Sequence, residues 1–223
     1  MAIQHSPKVY EARDRGNDFR LQRKGYSASE IERIMKQFKI KIQGLTPYMQ
    51  HRMDDVKLES WEKNRGLIME RPDIAKDDLV RAEYHCYRNE AGKCFIPADQ
   101  LRGSFINAGS AVKAKVGGRS KSMKQVVAAM FMVTPERIEL PDFDSIDKRS
   151  AVNKNVKARV IVVRPKWSNW EAEFTLNVMN DTITHETVRQ IIEHAGDYVG
   201  IGSFRPTNNG MFGRFEVKEF NAL

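Results

Sequence analysis

The chain has 223 residues, of which 41% are hydrophobic, enough for one sizeable core and a modest appendage. Lys and Arg outnumber Asp and Glu by 37 to 29, a formal charge of +8 that points to an anionic partner, nucleic acid first, with a merely basic surface as the plainer alternative. Two cysteines exclude a disulfide framework, and Cys86 and Cys94 with His85 match no zinc spacing, so no metal or cofactor is expected. No apolar run is long enough to span a membrane and no signal-peptide pattern precedes the charged start, which predicts a cytoplasmic protein.

Residues 1–36 read as a basic arm, carrying Lys8, Arg13, Arg15, Arg20, Arg23 and Lys24, that ends in a short helix. Ser27 to Glu30 has capping-box spacing, with Ile31, Ile34 and Met35 at helical intervals behind it. In "FKIKIQG", Phe38, Ile40 and Ile42 alternate with Lys39, Lys41 and Gln43, which predicts a strand over 38–43 with one wet face. Residues 54–78 are charged and aperiodic, and "EYHCYRNEAGKCFIP" predicts a hairpin turning at Asn89 to Gly92. Leu101, Phe105, Ala108 and Val112 form one apolar stripe of a helix expected over 97–115. A Gly-Ser-Lys loop follows, with five cations from Lys113 to Lys124 and no acid. The run "VVAAMFMV" is apolar on both sides, and periodicity leaves it open between buried strand and buried helix. Residues 141–155 read as another polar loop.

In the second half, Val156, Ala158, Val160 and Val162 share one face of a strand over 156–164. Trp170, Ala172, Phe174, Leu176 and Val178 share one face of another over 170–179. A turn at Pro165 to Asn169 pairs the two, with Arg164 opposite Trp170. A helix over 184–195 is expected to be capped by Thr184, stapled by Ile183 on Val188 and stopped by a left-handed Gly196. Phe215 and Val217 mark a closing strand over 213–220. The order β, α, β, β, α, β is that of the ferredoxin-like fold, a four-stranded antiparallel sheet with two helices on one face. The domain then spans 37–220, with insertions at about 54–96 and 116–155.

Candidate sites follow from charge and backbone freedom. The open face of such a sheet would show Lys39, Lys41, Lys157, Arg159, Thr175, Asn177, Arg214 and Glu216. That is no aromatic stacking platform, but it leaves a possible phosphate track beside Glu171 and Glu173. The segment "GDYVGIGSFRPTNNGMFGRFEV" carries Gly200, Gly202, Gly210 and Gly213 with Arg205 and Arg214. It is either a tight structural loop or a backbone shaped to admit phosphates. A dinucleotide fingerprint fails, because no helix follows these glycines. The five histidines show no catalytic constellation. An endonuclease using a lone histidine, His185 or His194, as general base stays open.

"FKIKIQGLTPYM", "CFIPADQLRGSFINAG" and "YVGIGSFRPTNNGMFGRFEV" together resemble the RAMP superfamily, the ferredoxin-like RNA-binding subunits of CRISPR effector complexes. More narrowly they resemble a family of similar proteins encoded in bacteriophage genomes. The likeness covers about residues 37–220. It implies a non-enzymatic protein that binds single-stranded RNA or DNA and assembles as repeated copies or a filament along the strand. Phosphates would meet Lys113, Lys115, Arg119, Lys121 and Lys124 on the basic loop, Arg205 and Arg214 beside the glycines, and Lys157 and Arg159 on the sheet. The alternatives are an RNA endonuclease on the same fold and an interaction protein that mimics a CRISPR subunit.

Overall fold

The architecture was obtained as a computed structural model. It describes residues 35–52, 77–116, 118–153, 158–179 and 183–223. The basic arm, the helix expected from Ser27 and most of the 54–78 segment lie outside these residues, as does Lys157.

The first strand, β1 (Lys36–Gly44), buries Phe38, Ile40 and Ile42 completely, as its alternation requires. It is central because two long partners accept that apolar row. On one side β10 (Glu171–Val178) pairs antiparallel, setting Phe38 against Leu176, Ile40 against Phe174 and Ile42 against Ala172. On the other lies β11 (Phe215–Ala222), also antiparallel. The sheet is completed beyond β10 by β6 (Phe131–Thr134), with Leu176 opposite Val133.

Two helices cover the apolar face. In α2 (Ala98–Ala108), Leu101, Phe105 and Ala108 enter the core, and in α4 (His185–His194), Val188, Ile191 and Ile192 do. Thr184 caps α4 by accepting a hydrogen bond from Thr187 N, and Ile183 is buried in the same core as Val188. In chain order β1, α2, β6, β10, α4 and β11 give βαββαβ, and in space the strands run fourth, first, third, second. This is the ferredoxin-like fold expected from the sequence.

The second strand of that fold is a correction. It is β6, not residues 156–164. The ambiguous run "VVAAMFMV" contains both answers, since α3 (Lys124–Met130) passes directly into β6. Segment 158–167 is a strand, β9 (Ala158–Trp167), but its partner is β8 (Ser145–Asn153), which reads as polar loop in the sequence. Arg164 therefore stands opposite Asp147 and not Trp170. Alternation specifies the face a strand presents, not the strand it joins. Together with β2 (Tyr48–Met49), these strands make a separate sheet in the order β2-β9-β8.

Three smaller departures have local causes. Helix α2 ends at Ala108 and not at 115, because the basic loop is itself a hairpin, β4 (Lys113–Val116) with β5 (Arg119–Ser122). Gly118, just before β5, has φ +78°, which suits a turn between paired strands. The predicted 89–92 turn is present, with Arg88 bridged to Cys94, although Glu83 and Tyr84 belong to α1 (Asp78–Tyr84). Gly196 does not stop α4 in a left-handed turn; the chain continues as a π turn over Ala195–Val199. A side chain at Gly196 would collide with the carbonyl of Phe215, so its need is close packing. The remaining short strands, β3 (Phe95–Pro97) and β7 (Arg137–Glu139), pair with one another in front of α2. Among the described residues no helix is long and apolar enough to cross a membrane.

Candidate nucleic-acid interface

The polar side of α2 is as regular as its apolar side. Asp99, Gly103 and Asn107 recur every four residues, with Gln100 and Ser104 beside them. This stripe faces the glycine-rich segment 200–213. Between them lies a cavity of about 310 Å³, lined from the helix by Asp99, Gln100, Gly103, Ser104 and Asn107, and from the segment by Gly202, Ser203, Arg205 and Asn208. His51 completes the lining.

The glycine-rich segment is not a slack connector. Ile201 N donates to Gly213 O (2.9 Å) and Phe212 N to Phe204 O (3.1 Å), so its two limbs are tied together. Ser203 N donates to Met49 O (2.8 Å) and Gly213 N to Pro47 O (2.8 Å), which fastens both limbs to β2 and the turn before it. Gly202 (φ +74°) and Gly213 (φ +70°) are in the left-handed region, and any side chain there would strike Met49 O or Ile201 O. Gly200 also has positive φ, and Gly210 packs on the Phe204 backbone. The segment is densely bonded inside, and its outer side is one wall of the cavity.

Arg205 lies half-buried in that wall, its Nε donating to Thr207 Oγ1 (3.0 Å) and an Nη to Gly202 O (3.0 Å). On the opposite wall Gln100 Oε1 accepts from the buried Tyr48 hydroxyl (2.7 Å). Desolvation pushes that phenol far above its ordinary value, so it remains a donor. The Ser104 hydroxyl is buried and has no hydrogen-bond partner among the described residues. The cavity thus offers one carboxylate, one guanidinium, amides and an unsatisfied hydroxyl, a surface matched to the polar edges of a base or sugar.

Of the residues expected to contact phosphate, Arg205 alone lines this cavity. Lys113, Lys115, Arg119, Lys121 and Lys124 are exposed beyond the C-terminal end of α2, where Ser122 Oγ donates to Gly109 O. The β4–β5 register puts Lys113 and Lys115 on one face of the hairpin and Arg119 and Lys121 on the other. Among the described residues none of the five has an ion-pair partner. Arg214 is exposed just before β11, its backbone N–H donating to Thr46 Oγ1 (3.0 Å). Arg159 is exposed on β9, on the second sheet and not on the four-stranded one.

On the open face of the main sheet the lysines stand beside carboxylates. Lys39 pairs with Glu173 (2.7 Å), Lys41 with Glu171 (3.2 Å) and Lys218 with Glu216 (2.6 Å). The hydrogen bond from Lys39 holds the Glu173 carboxyl below the usual carboxylate range, so this pair persists as an ion pair at neutral pH. Neither histidine considered for cleavage lines the cavity: His185 meets Phe38 edge-on and His194 stacks near Tyr198. His51 does, its ring stacked 4.2 Å from that of His85.

Sequence reasoning missed His51, Ser104 and the polar stripe of α2, although the four-residue spacing of Asp99, Gly103 and Asn107 was available to read. It also missed a cluster beside the glycine-rich segment, where Arg149 binds Asp147 through both carboxylate oxygens (2.6–2.8 Å) and stacks on Phe204 and Phe212. Arg164 lies against the same Phe204 ring. No local pattern announces that cluster, because its members come from three separate segments.

No protein-family model matches the chain, and no curated protein matches it. Among solved structures it is similar to a chain of the Type III-B Cmr-beta complex, determined by cryo-EM bound to cognate target RNA. The TM-score is 0.49 at 8% identity, over 93% of this chain and 67% of that one.

Proposed function

We propose that the protein binds single-stranded nucleic acid, RNA or DNA, without cleaving it. Bases or sugars enter the cavity between α2 and the glycine-rich segment, and phosphates run along the β4–β5 hairpin. The observation that carries this reading is the juxtaposition of a polar cavity with five exposed, unpaired cations at the end of the same helix. Most other described surface cations are already engaged, by carboxylates in ion pairs or by backbone carbonyls that accept their hydrogen bonds. Asp99 in the cavity repels phosphate, which divides the labour: neutral edges inside, backbone outside. Arg214, Arg159 and Lys157 extend the basic track, and the likeness of the sequence to RAMP proteins supports repeated copies along one strand.

Anisotropy with labelled oligouridylate and oligothymidylate tests the reading. Each phosphate neutralised contributes a salt slope of about −0.7 in log–log form for single strands, so three to five contacts give roughly −2 to −3.5. Replacing Lys113, Lys115, Arg119 and Lys121 by Glu should cost more than tenfold in affinity and flatten that slope. Absence of binding at low salt, or a wild-type slope near zero, overturns it. Mass photometry on strands of increasing length reads whether copies accumulate.

A second reading, RNA cleavage, is favoured by one observation, the position of His51 in the cavity wall. It requires defined products from an unstructured RNA that vanish in His51→Ala and persist in His185→Ala.

A further inference from the structure

Two guanidiniums and one carboxylate meet where the β8–β9 sheet touches the glycine-rich segment. Asp147 is almost wholly buried, and its two oxygens are occupied by Arg149 at 2.6 to 2.8 Å. Arg164, directly across the ladder from Asp147, is 6% exposed. Its Nε and one Nη are buried without any hydrogen-bond partner among the described residues. One positive charge is therefore held inside the protein with no bonded counter-charge among the described residues. Buried charges are ordinarily paired and their donors satisfied, because an unsatisfied ionic donor forfeits its hydration for nothing.

Phe204 lies over this charge. Its ring centroid is 5.3 Å from the Arg164 guanidinium carbon and 5.4 Å from that of Arg149, and Phe212 lies 4.8 Å from Arg149. Cation–π attraction offsets part of the desolvation but satisfies no N–H group. Phe204 also occupies φ +57°, a left-handed conformation that a bulky residue adopts only under constraint. Strain of this kind clusters at ligand clamps and switch regions. The Phe204 carbonyl is held by Phe212 N (3.1 Å), so the movement open to the residue is a rotation of its ring about the Cα–Cβ bond. Burial also pushes the Arg164 guanidinium below its ordinary value despite the attraction of Asp147, as expected of a cation short of partners.

We propose that Arg164 and Arg149 form a covered oxyanion site, closed by the ring of Phe204, which takes one phosphate group when Phe204 swings away. A carboxylate is already supplied by Asp147. What the cluster lacks is a ligand with several oxygens to satisfy donors from two guanidiniums at once, and phosphate has that shape. The group is either free inorganic phosphate or a backbone phosphate of the strand bound in the adjacent cavity. Only the second source rests on the nucleic-acid reading.

The test compares wild type with Phe204→Ala, Arg164→Met and the double variant, each checked for native circular dichroism. Phe204→Gly, which suits a positive φ, repeats the opening should alanine disturb the segment. Inorganic phosphate is titrated against thermal unfolding at constant ionic strength, and oligouridylate binding is followed against salt. Removing the ring should raise phosphate affinity about fivefold or more and steepen the oligonucleotide salt slope by about 0.7, one further phosphate contact. Both gains should vanish when Arg164→Met is added. A gain with phosphate alone identifies the free anion as the ligand, and a gain with both identifies the strand. If wild type fails to bind oligouridylate while Phe204→Ala still gains with phosphate, the nucleic-acid reading fails and this site stands. If the opened variants gain with neither probe, or gain equally without Arg164, the site is refuted whatever the oligonucleotide does.

Discussion

Gln50 is completely buried, and its side chain joins segments that sequence places far apart. Its Oε1 accepts from Tyr87 N (2.7 Å), and its Nε2 donates to Phe95 O (2.8 Å) and, more weakly, to Tyr48 Oη (3.3 Å). Gln50→Leu keeps the volume near constant and removes all three bonds. Two backbone groups are then left buried and unpaired, at about 1–3 kcal/mol each. The longer third bond adds little, and the extra apolar contact of leucine returns roughly 1 kcal/mol. The expected loss is about 3 kcal/mol, a large part of the roughly 5–15 kcal/mol that holds a domain together. Urea denaturation should show a lower midpoint with an unchanged slope. The Tyr48–Gln100 bond survives the substitution, so oligonucleotide binding well below the midpoint should fall by no more than about threefold. A loss under 1 kcal/mol would refute the reasoning, since it would mean that Tyr87 N and Phe95 O find other partners.

Gly213→Ala places a methyl group against Ile201 O in a left-handed conformation that costs about 1–2 kcal/mol before any clash. A stability loss above 2 kcal/mol is expected, with new protease cleavage between residues 200 and 213 seen by mass spectrometry. Thr184→Ala removes the acceptor for Thr187 N and should cost about 1 kcal/mol in the same denaturation assay. Burial pushes the thiols of Cys86 and Cys94 upward, their sulfurs being 3.2 Å apart. The folded chain keeps those protons where the unfolded chain releases them, so stability is full below about pH 8.5 and declines above it. Melting temperatures between pH 7 and 10 should fall less steeply in the Cys86→Ala, Cys94→Ala double variant than in wild type.

What the sequence showed of this fold followed one rule. Strands β1 and β10 and helix α4 each have one dry face and one wet one, and periodicity alone finds such elements. Strand β6 has neither property. It is four residues long, follows a helix without a break, and its outward residues Met132 and Thr134 are half-covered. Residues 156–164 make a better strand by pattern, which is why they took its place in the sequence reading. Their true partner β8 begins with Ser145, Ile146, Asp147 and Lys148, where a polar loop reads as naturally as a strand. Its extended form depends on the ladder with β9, a non-local fact.

The same distinction separates the legible from the hidden part of the site. Glycines and unpaired cations announce themselves by composition, and both lie where a ligand could use them. A buried Arg164 does not announce itself, because its neighbours Val163 and Pro165 are apolar and its counter-charge sits on a strand the sequence disguises. Yet the visible and hidden parts meet at one segment. Backbone hydrogen bonds tie the 200–213 limbs to each other and to Met49 and Pro47, Phe204 O included, so what freedom the segment keeps is in side chains such as the Phe204 ring. A wall fixed along most of its length loses little entropy when a strand enters the cavity, and the rest of the ordering cost falls on the hairpin cations, whose long side chains are free. Affinity should then track the hairpin charge, whereas discrimination among bases or sugars should track Ser104, Asn107 and Asn208, which the rigid scaffold holds in place.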